Sequence, residues 1–484
     1  MKRFIIVTVI LVLNISFCYS LQLPKLFTDN MVLQQNDTVS IWGWGKSWNK
    51  IVITTSWGVS ETVWINNESN WSAKIPTPVG SFDKHDITIQ EFGLNKDKSI
   101  NMDDVYGKVE LNNVLVGEVW LCSGQSNMEW NAKAGIESEK TEVPASNYPN
   151  IRFFKITKRI SDFPQDDLAG GSWLQCTPET MRSFSAVGYF FGKMLYNKLN
   201  VPIGLISDAW GGIPIDVAYP SSSVVDIADL LESSKGNYWK GAPHRLGTLY
   251  NAMTHPLRNF SIAGMIWYQG EGNVSVAPEQ YARKQKILVK ERRKQFGENM
   301  PFYYVQIAPF QYGKGKPKGA IIRDQQRKAS KVKNSEMIVI SDIGDTTDIH
   351  PRLKKPVGER LAKTALKYHY KIINELVEFP LFKKAYENKK YVYVEFSFSD
   401  GLFFKEGDKG NFELAGDDEK FVPVSAKIIN NKVRLDSKKV DNPKYVRFAF
   451  SNSATPLLLN KSNLPASCFD SQPIKKNFKH NSEI

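Results

Sequence analysis

Five short apolar runs punctuate the middle of the chain, at residues 114–121, 203–206, 262–267, 302–307 and 337–340. Each is nearly continuous rather than alternating, which is the pattern of strands buried on both faces of a parallel sheet. Between the runs the apolar spacing switches to three and four residues. Val187, Phe190, Phe191, Met194 and Leu195 share one face of a predicted helix over Ala186–Leu199. Further helices are predicted over roughly 278–295, 320–331 and 356–370. Strands alternating with helices predict an α/β domain over residues 111–375, with functional side chains gathered at the carboxyl ends of the strands.

The flanks read differently. Residues 21–110 hold short β-rich runs such as Val39-Ser40-Ile41-Trp42 and Ile51-Val52-Ile53-Thr54, bounded by Asn36-Asp37 and Gly43-Trp44-Gly45 turns. Trp57, Trp64 and Trp71 add large apolar area, so a β-sandwich-like domain is expected. Residues 376–484 return to β character, with Tyr391-Val392-Tyr393-Val394-Glu395-Phe396 and turns at Asp400-Gly401 and Asn430-Asn431. They are expected to form a C-terminal β-rich module. Residues 1–20 form a signal-peptide pattern: basic Lys2 and Arg3, an apolar stretch from Phe4 to Phe17, then small residues before a cut after Ser20. The apolar core is too short to span a membrane comfortably. Export is expected, to a periplasm or to the outside, with a lysosomal location as the alternative.

Composition narrows the function classes. The 484 residues are 42% hydrophobic and 23% charged, an ordinary globular balance. The net charge is +13 and the pI about 9.2, yet the lysines are scattered and no basic block interleaved with aromatics occurs. Nucleic-acid binding is therefore a poor reading. Beyond the signal segment three cysteines remain, so at least one is a free thiol or bonds to another molecule; Cys122 and Cys176 are candidates to pair. Their spacing fits no zinc pattern, and no metal or organic cofactor is called for.

The chemistry sits where predicted strands end. Ser123-Gly124-Gln125-Ser126 follows the first, Ser207-Asp208-Ala209-Trp210-Gly211-Gly212 the second and Gln269-Gly270-Glu271-Gly272-Asn273 the third; Asp348-Ile349-His350 comes shortly after the last. Any one of these alone is an ordinary turn or loop. Jointly they supply a nucleophile, Ser126, a base, His350, and an acid to orient it, Asp348. Backbone N–H groups of Ser126 and Gly212 suit an oxyanion, and Gln269 or Asn273 would add a side-chain amide. Glu271 is either a solvated loop acid, a partner for a local arginine, or the competing orienting acid.

Four blocks then resemble the sialate O-acetylesterase family of SGNH-type hydrolases: Trp120-Leu121-Cys122-Ser123-Gly124-Gln125-Ser126-Asn127-Met128, Trp210-Gly211-Gly212-Ile213-Pro214-Ile215, Ile266-Trp267-Tyr268-Gln269-Gly270-Glu271 and Asp348-Ile349-His350-Pro351-Arg352. The similarity extends to Phe27-Thr28-Asp29-Asn30-Met31 near the start and to Asn463-Leu464-Pro465-Ala466-Ser467 near the end. It implies an SGNH-type three-layer catalytic domain and hydrolysis of O-acetyl esters on sialic acid. Ser126 would be the nucleophile and His350 the base, with Gly212 and the Gln269 block at the oxyanion. One departure stands out: the family's usual acid position, three before the histidine, is Thr347 here. Arg323 and Arg352 are candidates to hold the sialate carboxylate. Acetylated xylan is the rival substrate, and a non-catalytic glycan-binding protein is the rival class.

Overall fold

The computed structural model describes residues 21–406 and 410–476. The signal-peptide expectation falls on residues 1–20, outside that range. The fold is mixed α/β, with a parallel core sheet and antiparallel strands on either side of it in sequence.

A single strand of 25 residues, Ile100–Gly124 (β1), organises the molecule. Its first half is partly exposed and pairs antiparallel with Ser81–Leu94; from Val114 onward every residue is buried. That change marks its passage from an N-terminal antiparallel sheet into the middle of the parallel one. The strand thus runs through residue 110, where the composition shifts. It is followed by Tyr148–Lys155 (β2), Trp173–Cys176 (β3), Ile203–Ser207 (β4), Gly264–Tyr268 (β5), Phe302–Val305 (β6) and Ser335–Ile338 (β7). The core order is β7-β6-β5-β1-β4-β2-β3, all parallel except the β2–β3 pair. β2 and β3 were not anticipated from the pattern.

Helices appear close to where the periodicity places them. A one-turn helix, Ser126–Glu129 (α1), caps β1; Ala186–Leu199 (α2), Tyr281–Phe296 (α3), Lys318–Ala329 (α4) and Lys354–Tyr368 (α5) are the long ones. α2 packs on α5, and α3 packs on α4. Among the described residues no helix is long and apolar enough to cross a membrane. One apolar core runs from Ile41 and Trp71 in the N-terminal strands to Trp120, Ile206 and Trp267 in the parallel sheet. A separate core, including Val394, Leu414 and Phe448, fills the C-terminal strands.

Cys122, Cys176 and Cys468 are all buried free thiols. The possible Cys122–Cys176 bond is therefore not made. Cys176 instead points its sulfur at the Ser146 carbonyl, 3.3 Å away.

Candidate active site

Gly124 ends β1 with φ at +140°, and a Cβ there would sit 2.1 Å from the Tyr268 carbonyl oxygen. Only glycine lets the two strand ends lie this close. The chain then turns through Gln125 and enters α1 at Ser126. The neighbouring strand end is stitched alongside: Trp210 N–H donates to the Gly124 carbonyl at 3.1 Å, and Gln125 N–H to that of Tyr268 at 3.0 Å. Three strand ends thus meet around Ser126.

His350 arrives from the loop after β7. That loop is anchored by Arg360 on α5, which donates to Asp342 and, at 2.6 Å, to the Val339 carbonyl. Asp345 folds the loop on itself by accepting from Thr347 N–H and Oγ1 and from Asp348 N–H. The result places His350 Nε2 2.9 Å from Ser126 Oγ. The imidazole stacks on Trp130, with ring centres 4.3 Å apart. Burial lowers the His350 pKa, helped by Lys354 and opposed by Asp348. The neutral, proton-accepting form is thereby favoured at neutral pH.

The two acids have different settings. Asp348 Oδ1 accepts the His350 backbone N–H at 2.8 Å, so it fixes the segment carrying the ring. Among the described residues no carboxylate hydrogen-bonds His350 Nδ1. Glu271 is neither solvated nor paired with an arginine, which overturns both of those alternatives. It is buried, and its Oε1 accepts from Asn127 at 2.6 Å. Asn127 also donates to the Ile349 carbonyl and accepts from Lys354. Burial raises the Glu271 pKa and pulls that of Lys354 down to about 7. This network braces the floor beneath Ser126 and His350. Thr347, at the family's usual acid position, is spent on the Asp345 turn.

The oxyanion donors need one correction. Gln269 is fully buried, with Nε2 committed to the Ile213 carbonyl and Asn273 Oδ1, and Oε1 accepting from Tyr281. Asn273 is likewise consumed, donating to Asp216 and accepting from Ile215 N–H. Neither amide reaches the cleft, so both are scaffold for the Gly211-Gly212 turn. The amide that does line the cleft is Gln125. Its Oε1 accepts from Gly272 N–H at 2.9 Å and Gly270 N–H at 3.4 Å, which orients the group. Its Nε2 has no protein acceptor among the described residues, and the same holds for the N–H groups of Ser126 and Gly212. Gly212 has φ at +76°, and a Cβ there would strike the Trp239 ring at 2.4 Å. The adjacent Gly211 N–H is held by Glu129 Oε2 at 2.9 Å.

The open cleft is about 480 Å³, lined by Ser126, His350, Gln125, Lys158, Trp210 and Trp239 among others. Neither arginine candidate faces it. Arg323 is 2% exposed and donates to the Ser451 and Asn452 carbonyls of a turn in the C-terminal region. Arg352 is exposed, and its guanidinium lies beside Gly135. The cation that does line the cleft is Lys158, which pairs with Glu129 at 2.6 Å and sits 5.3 Å from the centre of the Trp210 ring. Sequence reading passed over Lys158 because it lies in a loop with no flanking motif. Gln125 was visible, inside the very turn that carries Ser126, but nothing in the sequence tells which amide faces inward. No group of side chains among the described residues has the make-up of a metal site.

Comparison with known proteins fits this geometry. The family model for carbohydrate esterases described as sialic acid-specific acetylesterase matches residues 116–367. The sialate O-acetylesterase of Homo sapiens is 27% identical over 389 residues, covering 74% of this chain and 72% of that protein. The Rattus norvegicus protein of that name is 26% identical over 449 residues, covering 80% and 81%. A solved carbohydrate acetylesterase from Xanthomonas citri superposes with a TM-score of 0.82 at 31% identity, covering 93% of this chain and 99% of the other. The chain is thus a carboxylic ester hydrolase and belongs to the sialic acid-specific acetylesterase family of carbohydrate esterases.

Proposed function

We propose that this protein is a serine esterase that removes O-acetyl groups from sialic acids, and that Ser126, His350 and Asp348 carry the reaction. The observation that carries the reading is the 2.9 Å contact between Ser126 Oγ and His350 Nε2 at the mouth of an open cleft, in a chain of this family. Ser126 gives its proton to His350 Nε2 as Oγ bonds to the acetyl carbonyl carbon. The carbonyl oxygen becomes an oxyanion held by the N–H groups of Ser126 and Gly212 and by Gln125 Nε2. The bond to the sugar oxygen breaks, and that oxygen takes the proton from His350. Water then attacks the acetyl-serine, its proton passing to His350. The bond to Oγ breaks as Oγ takes that proton, and acetic acid leaves and ionises to acetate in water.

Asp348 is the better orienting acid. It fixes the His350 backbone and favours the imidazolium electrostatically, whereas Glu271 is tied to Asn127. A pH test separates them. With the His350 pKa depressed, kcat/KM rises with pH and levels off once His350 is neutral, so the acid limb falls below the ordinary 6.5 of a histidine. Asp348→Asn removes the charge that raises this pKa. The limb is expected to move further to acid and the plateau to fall about tenfold. Glu271→Gln is expected to leave the limb in place. A limb shifted by Glu271→Gln but not by Asp348→Asn reverses the assignment.

We further assign the sialate carboxylate to Lys158. It is the cation lining the cleft, and Trp210 and Trp239 supply apolar walls for the sugar ring. Lys158→Gln is expected to raise KM for O-acetylated N-acetylneuraminic acid about tenfold while hydrolysis of p-nitrophenyl acetate stays unchanged. Equal loss on both substrates refutes the anchor. Kinetics on acetylated xylan tests the rival sugar.

The SGNH three-layer arrangement belongs to the same reading. What supports it is the alternation along β1: Trp120 meets Phe191 of α2 edge-on, while Ser123, out of phase with it, lies on the side of Asp208, whose charge is felt by Arg292 of α3. Helices would then cover both faces. Export to a periplasm or outside the cell is also part of the proposal, resting on the 1–20 segment.

A further inference from the structure

A second cleft of about 360 Å³ opens between the N-terminal strands and the α/β region. It shares no lining residue with the cleft at Ser126. Trp44, Trp64 and Trp71 line one part of it, Asn70 lies among them, and Asp166 and Arg258 line another. Trp64 is 48% exposed at a concave surface, with Lys50 Nζ 4.6 Å from the centre of its ring. Arg258 Nη2 pairs with Asp166 at 2.8 Å, so the charges there are balanced. Asp166 is largely exposed and Arg258 partly so, which leaves both open to a polar ligand in the cleft.

Flat aromatic faces beside a neutral set of hydrogen-bonding groups suit one ligand chemistry well. A pyranose ring offers an apolar C–H face to stack on indole and a rim of hydroxyls to bond Asp166, Arg258 and Asn70. A lone anion would face the exposed Asp166 carboxylate and leave the indole face unused. A purely apolar ligand would strip water from Asp166, Arg258 and Asn70 without replacing its hydrogen bonds.

Placement adds a second argument. The loop 156–172 between β2 and β3 carries Lys158 to the Ser126 cleft and Asp166 to this one. Eight residues separate the two, so their backbones lie at most roughly 29 Å apart. The loop is also pinned: Ser161 N–H donates to the Thr248 carbonyl at 3.0 Å, Gln165 N–H to that of Asn251 at 2.9 Å, and the Asn251 amide back to the Ser161 carbonyl at 3.1 Å. The two clefts are held in a fixed relation, within reach of one oligosaccharide.

We infer that the tryptophan cleft is a saccharide subsite that holds the non-acetylated part of the glycan whose ester is cut at Ser126. The inference rests on the esterase reading, and its test separates the two. The full-length Ser126→Ala chain is titrated by calorimetry with sialyllactose and with xylohexaose. At least one is expected to bind, and adding Trp64→Ala or Asp166→Ala is expected to weaken it about tenfold. In the active enzyme, Trp64→Ala is expected to raise KM for O-acetylated sialyllactose by the same factor, with kcat and p-nitrophenyl acetate hydrolysis unchanged. Absence of binding by either saccharide, binding indifferent to both replacements, or equal loss on p-nitrophenyl acetate overturns the subsite. Xylohexaose binding that depends on Trp64, in an enzyme inactive on O-acetylated sialic acid, keeps the subsite and discards the sialate substrate.

Discussion

Ser126→Ala is expected to cut acetate release from O-acetylated sialic acid by at least about ten-thousand-fold, with the fold intact. The change deletes one oxygen. That oxygen makes a single hydrogen bond, to His350, and takes no part in capping α1. The remaining Cβ still fills its place beside Gly211. Alanine is also at home in the first turn of a helix. A melting temperature within a few degrees of wild type, measured beside the acetate assay, distinguishes lost chemistry from lost structure. Activity near wild type would remove Ser126 from the mechanism.

The next largest effect is expected at Gln125. Glutamate in its place keeps an oxygen to accept from Gly270 and Gly272 N–H, so the support of that turn survives. What changes is the inward-facing group, from a donor to an acceptor bearing negative charge. If Gln125 Nε2 stabilises the oxyanion, Gln125→Glu lowers kcat by about 10²- to 10³-fold with little change in KM. A structural role alone would leave Gln125→Glu close to wild type, because the acceptor is preserved. Gln269→Glu is the useful contrast. It disturbs the bonds to Ile213 and Asn273, so its loss should appear as a lower melting temperature.

The contrast between these glutamines shows what the sequence reveals and what it withholds. The parallel strands were legible because their runs are continuously apolar, and helix Ala186–Leu199 because its apolar residues keep one face. β2 was hidden by Arg152, a charge inside an otherwise apolar run. Arg152 is buried there by bonding the Asn30 and Asn113 side chains, which come from distant segments. β3 is a four-residue antiparallel addition, too short to show a period. At the site, Ser126 and His350 were legible because a turn after a strand and a base in a distant loop are local signals. Which amide faces the cleft is not local. Gln269 is turned away by Ile213 and Tyr281, and Gln125 is aimed by backbone groups of Gly270 and Gly272. Arg323 is unavailable for a carboxylate because a turn of the C-terminal region supplies two carbonyls to it. Lys158 stands in its stead through loop geometry alone.

Central to the proposed function is Ser126 as the reactive group of a cleft built for an acetylated sialic acid. Labelling with a serine-reactive fluorophosphonate, followed by peptide mass spectrometry, tests this most directly when run with and without competing O-acetylated N-acetylneuraminic acid. A single adduct on Ser126 is expected, formed more slowly in the presence of that sugar than in the presence of acetylated xylo-oligosaccharide. An adduct on another residue, no adduct, or labelling that the sialic acid does not slow would contradict it.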